Sequence, residues 1–291
     1  MWSDLHGLVG EDRAETLLSL AEKALDEPSR ARDALAMAES ALAIWEEMGA
    51  VAPELEKAHA MGVIAIAQSR LRKFDEAIAA AERAVEIHRE SGGYFLDEAL
   101  RILAALYLEQ RRNEEALSAL HESAQINEID GEIFQYAKDL VGVAKVYGEL
   151  ERWQELLSTA EKIIATGKIC KSPHYVGMGY SYKALALAEL GDPQEAILLA
   201  THALDLAQMS SGHETTMRAH YALAIAQSRC GYYGEARGSL DSAEHYVHAD
   251  LDYRFLAKIK KELVRIYRES DDAEQLVIEE RRLNTLLDVI G

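Results

Sequence analysis

The chain has 291 residues, 50 of them acidic against 31 basic, for a formal net charge of −19. So large an acidic excess repels phosphate backbones and anionic lipid alike, which excludes bulk nucleic-acid or membrane-surface binding. Four Pro, two Cys and long runs of Ala, Leu, Glu, Lys and Arg exclude a sizeable sheet and a disulfide framework, and predict an all-α chain too long for one simple core.

The opening stretch MWSDLHGLVGEDRAE lacks a basic region followed by an apolar run, and no apolar segment reaches about 18 residues. Neither export nor membrane insertion is expected, and the cytoplasm is the default compartment. Residues 1–14 read as a lead-in. Residues 15–57 form a first unit, in which Leu18, Ala21, Glu22 and Leu25 share a helix and EPSRARDALAMAESAL enters a second. It is the least regular unit.

In residues 58–96 the pattern is plain. A helix from about Glu56 to Leu71 turns its Met61, Ile64, Ala65 and Gln68 inward, RKFDEA makes the turn, and a second helix follows. There Ala77, Ala81 and Ala84, spaced four and three apart, share one face whose small side chains admit a close neighbour. Units at 97–136, 137–176, 177–216, 217–256 and 257–291 repeat the arrangement. The slot of Ala77 is filled by Ala34, Ala116, Leu156, Ala196, Ala236 and Leu276, a period of about 40 residues that belongs to stacked helical hairpins. Gly191 supplies a helix stop, and Asp192 and Pro193 start the next helix.

The hairpins resemble tetratricopeptide repeats, with Ala77, Ala81, Ala84 and Ala196, Ala200, Ala203 in the small-residue slots of the second helix. Departures are Glu22 in a small-residue slot, Lys183 in an apolar one, and Leu156 and Leu276 where alanine is usual. The units exceed the usual 34 residues and in this resemble the long repeats of bacterial signalling proteins. The resemblance implies a right-handed superhelical solenoid of about seven hairpins, with the exposed face of each first helix lining a concave groove.

On that implied face the second, fifth and ninth positions of each unit, from the third onward, are Glu98, Arg101, Ala105; Lys138, Val141, Lys145; Met178, Ser181, Leu185; Arg218, Tyr221, Ile225; and Lys258, Lys261, Arg265. Nearly half are basic in an acidic chain. A concave wall carrying Arg101, Lys138, Lys145, Arg218, Lys258, Lys261 and Arg265 attracts carboxylates, with Tyr221, Met178, Leu185 and Ile225 as an apolar floor. The expected guest is an acidic or extended peptide. The competing reading is that these charges are solvated or paired within the protein, as Lys145 with Glu149 at helical spacing.

No catalytic set is found. The ten histidines are scattered, without a nucleophile beside them. His245, His248, Asp250 and Asp252 form the one short-spaced group of ligand types, but they sit at a helix end, where such residues are ordinary. No metal or cofactor is expected. Cys170 and Cys230 read as idle thiols, Tyr107, Tyr147 and Tyr267 as hairpin core, and Trp45 and Trp153 as packing between units. The last helix presents Leu276, Leu283, Leu286, Leu287, Val289 and Ile290, an apolar face suited to a second copy in a homodimer, with Glu279 and Glu280 on a solvent stripe. The expectation is a non-catalytic scaffold that binds a protein or peptide. The alternative is a sensory or oligomerising part of a larger signalling protein, such as a nucleotide cyclase, kinase or transcription regulator, continuing past Gly291.

Overall fold

The computed structural model describes residues 10–49, 53–93, 95–210, 212–250 and 253–290, without the side chains of 248–250 and 290. The side chains of His248, Asp250 and Ile290, together with Asp252, Gly291 and most of the lead-in, therefore lie outside what is described. Among those described the protein is all-α, with fourteen α-helices in seven hairpins and no strand. The hairpins pair α1 (Gly10–Leu25) with α2 (Ala31–Met48), α3 (Glu54–Arg70) with α4 (Phe74–Glu90), and α5 (Leu96–Glu109) with α6 (Asn113–Asp130). They continue as α7 (Ile133–Glu149) with α8 (Trp153–Ile169), α9 (Pro173–Leu190) with α10 (Pro193–Ser210), α11 (His213–Arg229) with α12 (Tyr233–Asp250), and α13 (Tyr253–Glu269) with α14 (Ala273–Ile290).

One turn geometry makes six of the hairpins. Arg72, Arg111, Glu151, Gly191, Gly231 and Asp271 each take a left-handed backbone conformation just after the first helix. The following amide then reaches back to the helix: Lys73 to the Gln68 carbonyl, Arg112 to Tyr107, Arg152 to Tyr147, Asp192 to Leu187, Tyr232 to Gln227 and Asp272 to Tyr267, all at 2.8–3.0 Å. This satisfies a carbonyl left over at the helix end and reverses the chain in two residues. The first hairpin departs from it, turning instead through a short 3-10 segment at Pro28–Arg30.

The small-residue slot is where the helices meet. Ala34, Ala77, Ala116, Ala196 and Ala236 are fully buried, as is Leu156 in the same slot, whereas Leu276 keeps some exposure. Tyr107 and Tyr147 are buried in their hairpins, and Arg112, Arg152 and Arg237 lie 4.3, 4.9 and 5.4 Å over the rings of Tyr107, Tyr147 and Tyr267. Burial and the bond its hydroxyl donates to Glu82 at 2.7 Å push the Tyr107 phenol up to about 12. Helices α8 and α9 approach closely: a Cβ on Gly179 would stand 2.9 Å from the Ile164 nitrogen and 3.1 Å from the Ala160 carbonyl oxygen.

The chain divides into two compact units, Met1–Glu132 and Ile133–Gly291. In the first, α1, α3 and α5 lie in sequence, each touching the next, with Trp45 fully buried in the core between α1, α2 and α3. In the second, α7, α9, α11 and α13 form the corresponding row. Glu279 does not face solvent on α14 as expected from sequence. It is buried, 2.5 Å from Arg282 and 3.7 Å from the Lys260 ammonium of α13, which Glu244 of α12 also meets at 2.6 Å, so the buried charges are compensated within the protein. Glu280 bonds Arg268 at 3.0 Å. Val277, Ile278, Leu287 and Val289 of α14 are exposed. No helix among the described residues is long and apolar enough to cross a membrane.

Candidate functional site

The row of first helices in the second unit gathers six of the predicted residues at one place. Lys145 of α7, Ser181 and Leu185 of α9, Arg218 and Tyr221 of α11 and Lys258 of α13 line a common pocket, with Tyr182 of α9 and Phe255 of α13. The guanidinium of Arg218 sits 5.2 Å over the Tyr182 ring and 5.5 Å from that of Phe255, and is bonded to Glu214 at 3.0 Å. Tyr221 packs edge-on against Phe255, ring centres 5.1 Å apart. These rings form an aromatic cluster with cations at its edges.

Lys258 holds the arrangement closed. Its ammonium meets the Glu149 carboxylate of α7 at 2.6 Å, so the first and last helices of the row are tied directly. Burial draws the Lys258 amine down from its ordinary range, Glu149 opposes that, and Arg218 and Lys145 add to it. Burial pushes the Tyr182 phenol up to about 12 and that of Tyr221 up as well. The space left is about 20 Å³, little more than one water molecule needs.

The other predicted residues stand elsewhere. Lys138 and Lys261 are exposed on α7 and α13. Arg265 is held by Glu262, by Ser228 at 2.7 Å and by Glu269 at 3.4 Å. Arg101 belongs to the first unit and bonds Asp97 at 2.8 Å. Burial pushes the Asp97 carboxyl up, but bonds from Arg101 and Asn127 outweigh it and hold the group below its ordinary range. Met178 and Ile225 are buried packing residues, and Ser181, at the pocket wall, donates its hydroxyl to the Gly177 carbonyl at 2.9 Å.

Sequence reasoning missed Tyr182, Phe255 and the reach of Glu149. It also missed a ladder along the same row, in which Arg229 of α11 bonds Glu189 of α9 at 2.5 Å and Glu262 of α13 at 3.4 Å. Burial raises the Glu262 carboxyl to about 7 even with Arg229 and Ser228 opposing it. Aromatic residues one position from the predicted slots, Tyr182 beside Ser181, were the available signal.

A second concavity, also missed, lies wholly in the first unit. It has a volume of about 240 Å³ and is walled by α1, α3 and α5, with Ala84 and His88 of α4 behind. Leu25, Val63, Ile66 and Ile102 make it apolar, and Glu22, Glu56 and Glu98 are its carboxylates. Glu22 is bonded to His59 at 2.8 Å. Among the described residues no group of three or more histidine, cysteine or acidic side chains is placed to hold a metal ion; His245 instead packs edge-on against Tyr246.

No family model matches the sequence, and a search of curated proteins finds no match. Solved structures do match in fold. The apo form of RapI superposes with a TM-score of 0.74 at 14% identity, covering 94% of this chain and 96% of that one. Aspartyl phosphate phosphatase F from Bacillus subtilis gives 0.73 at 14% identity, covering 91% and 68%. NprR in complex with its cognate peptide NprX gives 0.65 at 14% identity, covering 95% and 79%. At these identities the likeness is one of fold, and it places the chain among all-α helical-repeat structures.

Proposed function

We propose that the chain is a non-catalytic, cytoplasmic peptide-binding protein, and that the α7–α13 row takes an acidic, extended segment. The observation that carries this is the convergence of Lys145, Arg218 and Lys258, from three hairpins, on the aromatic cluster of Tyr182, Tyr221 and Phe255 in a chain of net charge −19. A guest carboxylate replaces Glu149 at Lys258, and an adjacent apolar side chain spreads over the rings. Lys138 and Lys261, exposed on the flanking helices, extend the attraction along the row. NprR, similar in fold, was solved with a bound peptide, which supports a repeat of this shape as a peptide receptor in a regulatory setting.

The test uses a fluorescein-labelled peptide of alternating Glu and Leu, with a Lys and Leu counterpart, followed by anisotropy. The acidic peptide is expected to bind with an affinity that falls steeply with salt, and Arg218→Ala combined with Lys258→Ala to weaken it at least tenfold with helicity unchanged. Equal binding of the two peptides, or no effect of the double substitution, overturns the reading.

The exposed Val277, Ile278 and Leu287 of α14 supply the surface for pairing with a second copy. Sedimentation velocity showing a monomer at high micromolar concentration, unchanged by Leu287→Glu, removes that part of the proposal.

A further inference from the structure

The concavity of the first unit differs from the peptide face in sign, size and contents. Its volume of about 240 Å³ exceeds the roughly 150 Å³ in which an apolar protein cavity holds a benzene ring. One aromatic ring with a short arm therefore fits. The body of the wall is aliphatic, which such a ring matches. Three of the lining residues are glutamates, Glu22, Glu56 and Glu98, one from each of α1, α3 and α5, and no lysine or arginine lines the space. Glu98 occupies the repeat position that Lys138, Arg218 and Lys258 hold in later hairpins, so the first unit carries an acid where those hairpins carry a cation.

Phe95 adds an independent sign. It lines the cavity edge yet is 64% exposed, with its ring edge-on to His88 at 6.4 Å. Its backbone is left-handed, at φ 58°, as at the hairpin turns, and starts α5. A guest ring in the cavity gives the exposed face of Phe95 an apolar partner.

We propose that this cavity binds a small arylalkylamine, its ring among Val63, Ile66 and Ile102 and its ammonium among Glu22, Glu56 and Glu98. An amine is selected over an acid of the same shape because three carboxylates repel the acid. An amine is selected over an uncharged ring because its ammonium adds charge pairing at the rim, where Glu22 and Glu98 are exposed and Glu56 half-buried, to the apolar contact of the ring.

Isothermal titration of the full chain with 2-phenylethylamine, phenylacetate and ethylbenzene tests this. Saturable one-to-one binding of the amine is expected, at least tenfold tighter than either isostere, and weakened about tenfold or more by Glu56→Gln with Glu98→Gln. Ala58→Leu, which fills the cavity, abolishes it. Should Ala58→Leu lose its helical signal, the paired glutamine substitution alone decides, since it leaves the packing unchanged. No heat with the amine, equal affinity for phenylacetate, or amine binding indifferent to the glutamine substitutions overturns the proposal. The peptide face rests on other residues, so either result stands without the other.

Discussion

Glu149 at the end of α7 and Lys258 near the start of α13 meet at 2.6 Å although three hairpin turns separate them in the chain. The contact spends on an internal partner the cation best placed for a guest. Removing the acid's charge therefore frees the ammonium for a guest carboxylate. Glu149→Gln is expected to tighten binding of an acidic peptide severalfold, and Lys258→Ala to weaken it, while the double variant behaves like Lys258→Ala. Anisotropy titrations of the three proteins form a double-mutant cycle, and simple additivity would deny that the two residues compete with the guest.

A stability effect with a definite pH window comes from Glu262. Its carboxylate faces Arg229, Arg265, Glu189 and Glu269 in the α9–α11–α13 ladder, and burial, the largest influence, raises it to about 7. The folded chain thus holds this proton more tightly than the unfolded chain does. The resulting stability is complete below the ordinary carboxylate range and is lost as pH rises through about 7, with a magnitude on the order of 2–3 kcal/mol. Denaturant unfolding at pH 5 and pH 8 is expected to show the wild-type chain losing stability relative to Glu262→Gln at the higher pH. A constant difference between the two proteins across that range contradicts the assignment.

How much of this was legible beforehand depends on the distance over which each feature is decided. The hairpins are local: Ala77, Ala81 and Ala84 need only helical spacing to share a face, and Gly191 followed by Asp192 and Pro193 marks a turn by itself. The six turns recur because each depends on a few consecutive residues. Side-chain pairing is not local. Whether Lys258 is a free cation depends on Glu149 arriving from another hairpin, which the curl of the row decides and no single repeat encodes. Glu279 was misread for the same reason, its partner Lys260 lying across the hairpin. The cavity of the first unit needs α1, α3 and α5 together, with Phe95 in a backbone conformation that no residue type near it announces.

The hairpin turns yield a paired prediction of opposite sign. Glu151 is an exposed non-glycine residue in the left-handed region at φ 54°, while Gly191 fills the equivalent place one repeat later at φ 102°. A Cβ added at Gly191 meets nothing within 4 Å, so only backbone strain is at issue there. Glu151→Gly is expected to raise stability by about 0.5–1 kcal/mol and Gly191→Ala to lower it by about 1 kcal/mol. Thermal melts read both, and equal effects of the same sign would mean that the turn conformation is not what limits these positions.

Gly179 tests the packing between hairpins, because its small size is demanded by close approach and not by backbone conformation. Ala is the better helix former, so on propensity alone Gly179→Ala should stabilise α9 by about 1 kcal/mol. Against that, the added methyl group lands 2.6 Å from the Ile164 side chain and 2.9 Å from its backbone nitrogen. The side chain can rotate, but the backbone of α8 cannot move without lifting a buried row that includes Ala160 and Ile163. Overpacking of this kind costs about 1–3 kcal/mol and outweighs the gain in propensity. Gly179→Ala is therefore expected to destabilise the second unit, whereas Gly148→Ala, whose Cβ would lie 4.0 Å from Leu156, takes the propensity gain without the clash. Chemical denaturation of the two variants separates the effects: if Gly179→Ala proves as stable as Gly148→Ala, α8 and α9 are not held at this separation.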